Sequence, residues 1–152
     1  MGQIPYGSNP EYLPNFLKDA RRESATSVDF LDFAGSRAIE EVSLNLFPPT
    51  NSSGIHWEAT SYDRRLWWDD DNDWVRMATE LLTEYSSPDD KMVIFWGNLV
   101  IPTVVLPVKL VIDNLLELLD LGPHLWFYLP VPKVLIECLL DGQVTISSTR
   151  RA

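Results

Sequence analysis

The sequence predicts a single α+β domain, in which a mostly antiparallel sheet of about six strands carries two or three helices and ends in a β-meander. Three observations predict this class. Apolar residues recur at helical spacing in the segments 12–20 and 74–85, and short runs rich in β-branched and aromatic residues recur after residue 91. Asp141 and Gly142, between the last two such runs, are the strongest short-range signal for a hairpin.

A chain of 152 residues matches one ordinary domain, and no linker composition divides it. Hydrophobic residues make up 45% of the chain, so it can build a core without a disulfide or a structural metal. We therefore expect one domain over residues 1–152, with an irregular lead-in at 1–10 and a frayed tail at 148–152.

The first half is predicted to hold one helix and one hairpin. The apolar residues of 12–20 share a helical face, and Pro14 lies early enough for a first turn. Residues 42–47 alternate between apolar and polar side chains, which predicts a strand ending at a pair of prolines. Residues 55–62 alternate more weakly and predict its partner strand, after a turn at 51–54.

The middle of the chain predicts a helix, a strand and a second helix. The helix spans about 73–85, with one apolar face and Asp73 as the expected N-cap. A buried strand at 92–96 follows, and 99–106 contains a proline that favours an extended or edge segment. The second helix is expected at about 107–121, stopped by a glycine and a proline.

The C-terminal part predicts the meander. Its strands are expected at 125–129, 134–140 and 143–147, the last two joined at Asp141 and Gly142.

Acidic residues outnumber basic ones by 22 to 12, which gives a formal net charge of −10. Such a chain repels phosphate backbones, so we expect no nucleic-acid partner, and its charge favours a basic partner instead. Residues 51–100 hold 10 acidic and 4 basic groups, so more than half of the excess lies in the middle third. That clustering creates a local field rather than a uniform one.

The sequence favours a cytoplasmic protein that does not insert in membranes. The uncharged run 92–108 is interrupted by glycine, asparagine and proline, and is shorter than the roughly 20 residues that a spanning helix needs. The N-terminal residues lack the basic and apolar regions of an export signal. The single cysteine, Cys138, cannot form an internal disulfide and is predicted to be a small core residue.

No catalytic or cofactor motif is present, and no cofactor or small-molecule substrate is predicted. The chain has no glycine-rich phosphate loop, and its two histidines lack metal-ligand spacing. His56 and Glu58, on one face of the expected strand, form the best candidate for an acid–base pair. An exposed polar sheet face explains the same two residues.

Asp69, Asp71, Asp73 and Glu80 partly match a calcium-binding loop. The match fails at the sixth loop position, because Trp74 stands where the backbone turn requires glycine. We therefore predict no metal site and interpret these acids as the solvated start of a helix.

The tryptophans beside these acids need a further explanation. Because adjacent side chains of an extended segment point to opposite sides, Trp67 and Trp68 cannot both be buried, so one is expected to be exposed. An exposed ring beside a dense acidic patch is typical of a protein-binding hot spot. The candidate partner-binding residues are Trp67, Trp68, Asp69, Asp70, Asp71, Asp73 and Glu80.

With its size, acidity and aromatic, acidic stretch 66–74, together with the tract 95–98, the chain resembles the small immunity proteins of bacterial toxin–immunity systems, including contact-dependent growth inhibition. The resemblance implies a cytoplasmic, non-enzymatic protein that binds a cognate toxin domain, often a basic nuclease, and blocks its active site. Two alternatives stay open. One is a small hydrolase or metal-dependent enzyme using His56, Glu58 or the aspartates, and the other is an acidic adaptor or regulator of another basic protein.

Overall fold

The computed structural model describes residues 6–50, 54–119, 124–139 and 141–149. Within these ranges the chain forms five α-helices and one seven-stranded sheet, which confirms the α+β class with one strand more than expected. The helices are α1 (Asn15–Arg22), α2 (Phe33–Glu41), α3 (Asp71–Tyr85), α4 (Val108–Ile112) and α5 (Leu115–Leu118). The strands are β1 (Asp29–Phe30), β2 (Arg64–Trp67), β3 (Lys91–Trp96), β4 (Val104–Pro107), β5 (His124–Leu129), β6 (Val134–Leu139) and β7 (Gln143–Ser148).

Every strand pair in the sheet is antiparallel, and the strand order is β1-β4-β3-β5-β6-β7-β2. The predicted meander of β5, β6 and β7 is confirmed and forms the centre and one side of the sheet. Strand β2 comes from the middle of the sequence and adds to the outside of β7, so it is one of the two sheet edges.

Both faces of the sheet are covered. Because side chains alternate along a strand, Met92 and Ile94 of β3 point to one face, whereas Val93 and Phe95 point to the other. The first face packs against α1, α3, α4 and α5 in the main core. The second face packs against a smaller cluster from the segment that runs between α2 and β2.

The two predicted amphipathic helices are confirmed with small shifts. Pro14 is the N-cap of α1, so the helix begins one residue after it. Helix α3 begins at Asp71, and Asp70, not Asp73, is its N-cap, since its carboxylate accepts a hydrogen bond from the amide of Asp73. The apolar face of α3, with Trp74 at its start, lies against the centre of the sheet.

The strand expected at 42–47 is wrong. Helix α2 occupies residues 33–41, capped by Asp32, and a 3₁₀ turn follows at Leu44–Leu46. Val42 and Leu46 are exposed, whereas Ser43 is buried and donates its hydroxyl to the carbonyl of Ile39. Two of the three alternating apolar residues therefore face solvent, whereas Leu44 packs against the smaller core. The buried serine, bonded to the preceding helical turn, decides the local structure.

The partner strand expected at 55–62 is also wrong. The segment forms a 3₁₀ turn at Trp57–Ala59, and the expected hairpin is reduced to one isolated bridge between Pro49 and Ile55. Trp57 enters the smaller core, where its indole N–H donates to the buried carboxylate of Glu137 at 2.8 Å. This contact with β6 fixes the segment, and a pattern within the segment cannot reveal it.

The helix expected at 107–121 is broken into α4 and α5. Asn114 lies between them in a non-helical conformation, and its side-chain amide donates to the carbonyl of Leu110. The carbonyl of Leu115 accepts from the indole of Trp74. The segment 99–106, expected to be an extended or edge segment, ends in β4, which pairs with β1 and β3, so the expected edge position is wrong. Pro102 lies before the strand and Pro107 is its last residue, so neither proline interrupts the ladder.

Several expectations lie outside the described residues. They concern residues 1–5 of the lead-in, 51–53 of the turn, the helix stop at 122–123 and residues 150–152 of the tail.

Candidate protein-binding site

Strand β2 places the two adjacent tryptophans on opposite sides of the sheet edge. Trp67 is 59% exposed and lies on the face away from α3. Trp68, one residue later, is partly buried against Trp74 of α3, with ring centroids 5.7 Å apart. The expectation that one of the two rings is exposed is confirmed, and the exposed ring is that of Trp67.

The turn between β6 and β7 lies directly against this segment. The amide of Trp68 donates to the carbonyl of Gly142 at 3.0 Å, which extends the β2–β7 ladder by one residue. Gly142 has a φ of +104°, and a Cβ there would stand 2.5 Å from the carbonyl oxygen of Trp68. Only glycine fits this close approach. Asp69 and Asp141 are each the next residue in sequence to this contact, so the turn places Asp141 near Asp69.

Two of the candidate acids hold the start of α3 in place. The carboxylate of Asp70 accepts from the amide of Asp73 at 2.8 Å, and the carboxylate of Asp73 accepts from the amide of Asp69 at 3.0 Å. This arrangement resembles a capping box, in which backbone donors of the first turn are satisfied reciprocally. Asp70 and Asp73 therefore have a structural role besides any contact with a partner.

Arg76 forms ion pairs with the two candidate acids that lie farthest along α3. It pairs with Asp73 and also with Glu80, at 3.4 Å from the latter. The hydrogen bond from Arg76, reinforced by the one from the amide of Asp69, lowers the pKa of Asp73 and keeps its carboxyl ionised. Glu80 is thus part of an exposed ion-pair row on α3 rather than of a free acidic surface.

Four acids remain that we call the acidic corner: Asp69, Asp70, Asp71 and Asp141. All four side chains are exposed, and no described residue forms an ion pair with any of them. Like charges this close raise a negative potential that a cationic partner relieves. The exposed ring of Trp67 lies beside the corner and supplies apolar area for contact.

Beneath the corner lies a buried polar atom with no partner. The indole nitrogen of Trp68 is inaccessible to solvent and makes no hydrogen bond with the part of the chain that the structure describes. Such a donor costs about 1–3 kcal/mol of stability when it is left unsatisfied. The ring is held by packing against Trp74 rather than by a polar contact.

The acids form no arrangement suited to a metal ion. Across the described ranges, no group of three or more His, Cys, Asp or Glu side chains converges as metal ligands do. The carboxylates of Asp70 and Asp73 are instead turned toward backbone amides.

His56 and Glu58, the candidate acid–base pair, lie in the 3₁₀ segment rather than on a strand. The imidazole Nε2 is 3.8 Å from the nearer carboxylate oxygen, which is beyond hydrogen-bond distance, and both side chains are exposed. They border an open cleft of about 410 Å³ that also reaches Tyr62 and Arg65. The geometry pairs neither residue with a nucleophile.

Cys138 is buried in the main core, as expected, on the face of the sheet toward α3. Burial, reinforced by the adjacent Glu137, raises the pKa of its thiol far above the ordinary value of 9.0. The folded protein therefore retains the proton at pH values where an exposed thiol loses it, and the thiol is no nucleophile at neutral pH.

This burial predicts an alkaline loss of stability. Below about pH 9 both states carry a protonated thiol, so Cys138 contributes no pH dependence there. Above it only the unfolded state releases the proton, which favours unfolding by about 1.4 kcal/mol per pH unit. Urea unfolding of the native chain and of Cys138→Ala across this range measures the effect. Equal slopes for the two proteins contradict it.

The comparisons with known proteins leave the family open. No model of a known protein family matches the chain, and no curated protein matches its sequence. Among the described residues, none of the helices has both the length and the apolar character needed to cross a bilayer. The function is therefore inferred from the site.

The structure brings together only some of the candidate residues. Asp69, Asp70 and Asp71 share the acidic corner beside Trp67, whereas Trp68 is mostly covered, and Asp73 and Glu80 are paired with Arg76. The sequence predicts Asp141 only as a turn residue, yet the contact of Gly142 with Trp68 brings it to the corner. The sequence indicates only that Asp141 lies in a hairpin turn. Its nearness to Asp69 depends on the pairing of β2 with β7.

Proposed function

We propose that the protein is a non-enzymatic, cytoplasmic immunity protein that binds and neutralises a cognate toxin domain carrying a basic surface, such as a nuclease. The observation that carries this proposal is the acidic corner, where four exposed carboxylates, none of them ion-paired with a described residue, lie beside the exposed ring of Trp67. A basic groove that binds a phosphate backbone presents the opposite charge. The corner therefore supplies the complementary potential and Trp67 the apolar contact.

The carboxylates of the acidic corner and the ring of Trp67 are expected to affect different rate constants of binding. Exposed carboxylates steer a basic partner toward the site, so they act on the association rate, and salt screens them. A ring buried on binding acts on the dissociation rate. Trp67 and the acidic corner are thus distinguishable in one binding experiment.

The triple variant Asp69→Asn, Asp70→Asn and Asp71→Asn is expected to slow association with the toxin by roughly ten- to hundredfold at low salt. The fold is expected to survive, because asparagine at position 70 retains a side-chain oxygen that caps α3. The probe is the protein encoded directly upstream, tested by surface-based kinetics over a series of salt concentrations and by rescue of growth.

The matched control is Glu23→Gln, Asp29→Asn and Glu41→Gln, which changes the net charge by the same amount. These acids are exposed, and Asp29 lies in β1, at the opposite edge of the sheet from β2. The control is expected to leave association nearly unchanged. Equal slowing by both triple variants shows that only bulk charge matters and overturns the site. If the upstream protein is neither bound nor neutralised, the immunity proposal is wrong.

A further inference from the structure

One side of strand β2 pairs with no strand in the part of the chain that the structure describes. Its other side pairs with β7, and since the amide of Trp68 belongs to that ladder, the alternation of antiparallel pairing turns the backbone groups of Arg65 and Trp67 outward. Strand β1, at the other edge, has only two residues. The edge at β2 is thus the longer template for adding a strand.

The side chains along this edge are positively charged before Trp67 and negatively charged after it. Arg65 lies two residues before Trp67 and Asp69 two residues after it, and Arg64 and Asp70 lie three residues before and after. An antiparallel pairing about a twofold axis at Trp67 therefore sets Arg65 opposite Asp69, whereas Arg64 is already paired with Glu84 of α3 at 2.8 Å. Opposite charges placed across a strand pair stabilise it, whereas like charges oppose it.

Arg65 is positioned for such a contact. Its guanidinium lies over the ring of Tyr62, 4.3 Å from the centroid, and its Nε donates to the hydroxyl of Thr145 at 3.1 Å. No described residue accepts a hydrogen bond from its two terminal nitrogens. Arg65 and Trp67 alternate with Leu66 along β2 and share the face away from α3, and Asp69 follows two residues after Trp67.

We propose that two copies of this chain pair through their β2 edges and form a dimer with one continuous sheet. In this dimer Trp67 meets Trp67 of the second copy on the twofold axis, and Arg65 of each copy pairs with Asp69 of the other. The charge pattern selects a second copy over a strand from a basic partner. A uniformly basic strand that places a cation opposite Asp69 places another opposite Arg65, four residues away, and like charges across a strand pair are unfavourable.

The dimer covers Asp69, so it excludes a toxin bound at the acidic corner. That consequence rests on the proposed function, whereas the dimer itself does not. Its test uses the purified chain alone, so failure of the dimer and failure of toxin binding are seen in different experiments.

Sedimentation equilibrium over a wide range of protein concentration measures the mass. The native chain is expected to reach twice the monomer mass of 17.4 kDa as the concentration rises. Arg65→Asp is expected to abolish the dimer, because it sets two carboxylates opposite each other. Asp69→Arg is expected to abolish it as well, because it sets two guanidinium groups opposite each other. The double variant, which carries both changes, restores opposite charges and is expected to restore the dimer.

Circular dichroism and the urea midpoint check that each variant is folded. Asp69→Arg is the safer single variant, since the Asp69 side chain is exposed and only its backbone amide contacts Asp73. A native chain that stays at the monomer mass overturns the proposal. A dimer that survives both single variants places the interface elsewhere, and a double variant that stays monomeric refutes the pairing of Arg65 with Asp69.

Discussion

Replacing Glu137 with alanine is expected to lower the free energy of unfolding by about 3–5 kcal/mol. Glu137 is 2% exposed, and its carboxylate accepts three hydrogen bonds. The indoles of Trp57 and Trp126 donate at 2.8 and 3.0 Å, and the amide of Ile55 donates at 2.7 Å. Removal of the carboxylate leaves three buried donors without an acceptor and opens a cavity in the smaller core.

Glu137→Gln has nearly the same shape and separates charge and hydrogen bonding from volume. Its one amide oxygen still accepts, but its NH₂ group faces a donor, so we expect a smaller loss of about 1–3 kcal/mol. Urea unfolding measures both changes, and hydrogen exchange at Ile55 shows whether the segment before β2 opens first. Glu58→Ala is the control in the same segment, since its side chain is exposed and should change stability by less than about 0.5 kcal/mol.

If Glu137→Ala loses no more stability than Glu58→Ala, the buried carboxylate does not hold this segment to the sheet.

Replacing Trp74 with alanine is expected to cost about 3–5 kcal/mol. Its side chain is 1% exposed, packs against Trp68 and Phe127, and donates its indole N–H to the carbonyl of Leu115 at 2.9 Å. These contacts join the start of α3 to the sheet and to α5. Their loss creates a large cavity and leaves a helix carbonyl without its partner.

Trp67→Ala is the matched control for Trp74→Ala, because the two rings lie near the same corner but differ in burial. We expect Trp67→Ala to change stability by less than about 0.5 kcal/mol. If the toxin buries this ring, the same variant should weaken binding by about 2 kcal/mol or more, mainly through faster dissociation. Urea unfolding and binding kinetics on both variants measure the two effects. Similar stability losses from both variants contradict the assigned burial.

The part of the site that the sequence predicts is the part built from neighbours in the chain. The run from Trp67 to Asp71 shows an aromatic ring beside clustered acids, and the alternation of an extended segment predicts one exposed tryptophan. Which of these acids form ion pairs depends on contacts that the local pattern does not show. Arg76 pairs with both Asp73 and Glu80, about one helical turn away on either side. Asp141 joins the corner through the β6–β7 turn, about seventy residues later in the sequence.

The two wrong strand predictions in the first half of the chain have the same origin. Residues 42–47 and 55–62 alternate as strands do, but neither segment finds a sheet partner. The buried Ser43 bonds back to α2, and Trp57 and Ile55 bond to Glu137 on β6. The carboxylate of Glu137 on β6 accepts the hydrogen bonds of Ile55 and Trp57. The local pattern predicts instead that this segment bonds to a neighbouring strand.

The sequence by itself determined the α+β class, the helix at α3, the C-terminal meander and the negative charge of the middle third, because each depends on local periodicity, turn chemistry or composition. The tertiary structure alone decided that β2 forms a sheet edge, that the turn carrying Asp141 lies against the segment before α3, and that Glu137 anchors the second face. Those outcomes depend on pairings between residues far apart in the chain, which the pattern along any single segment does not record.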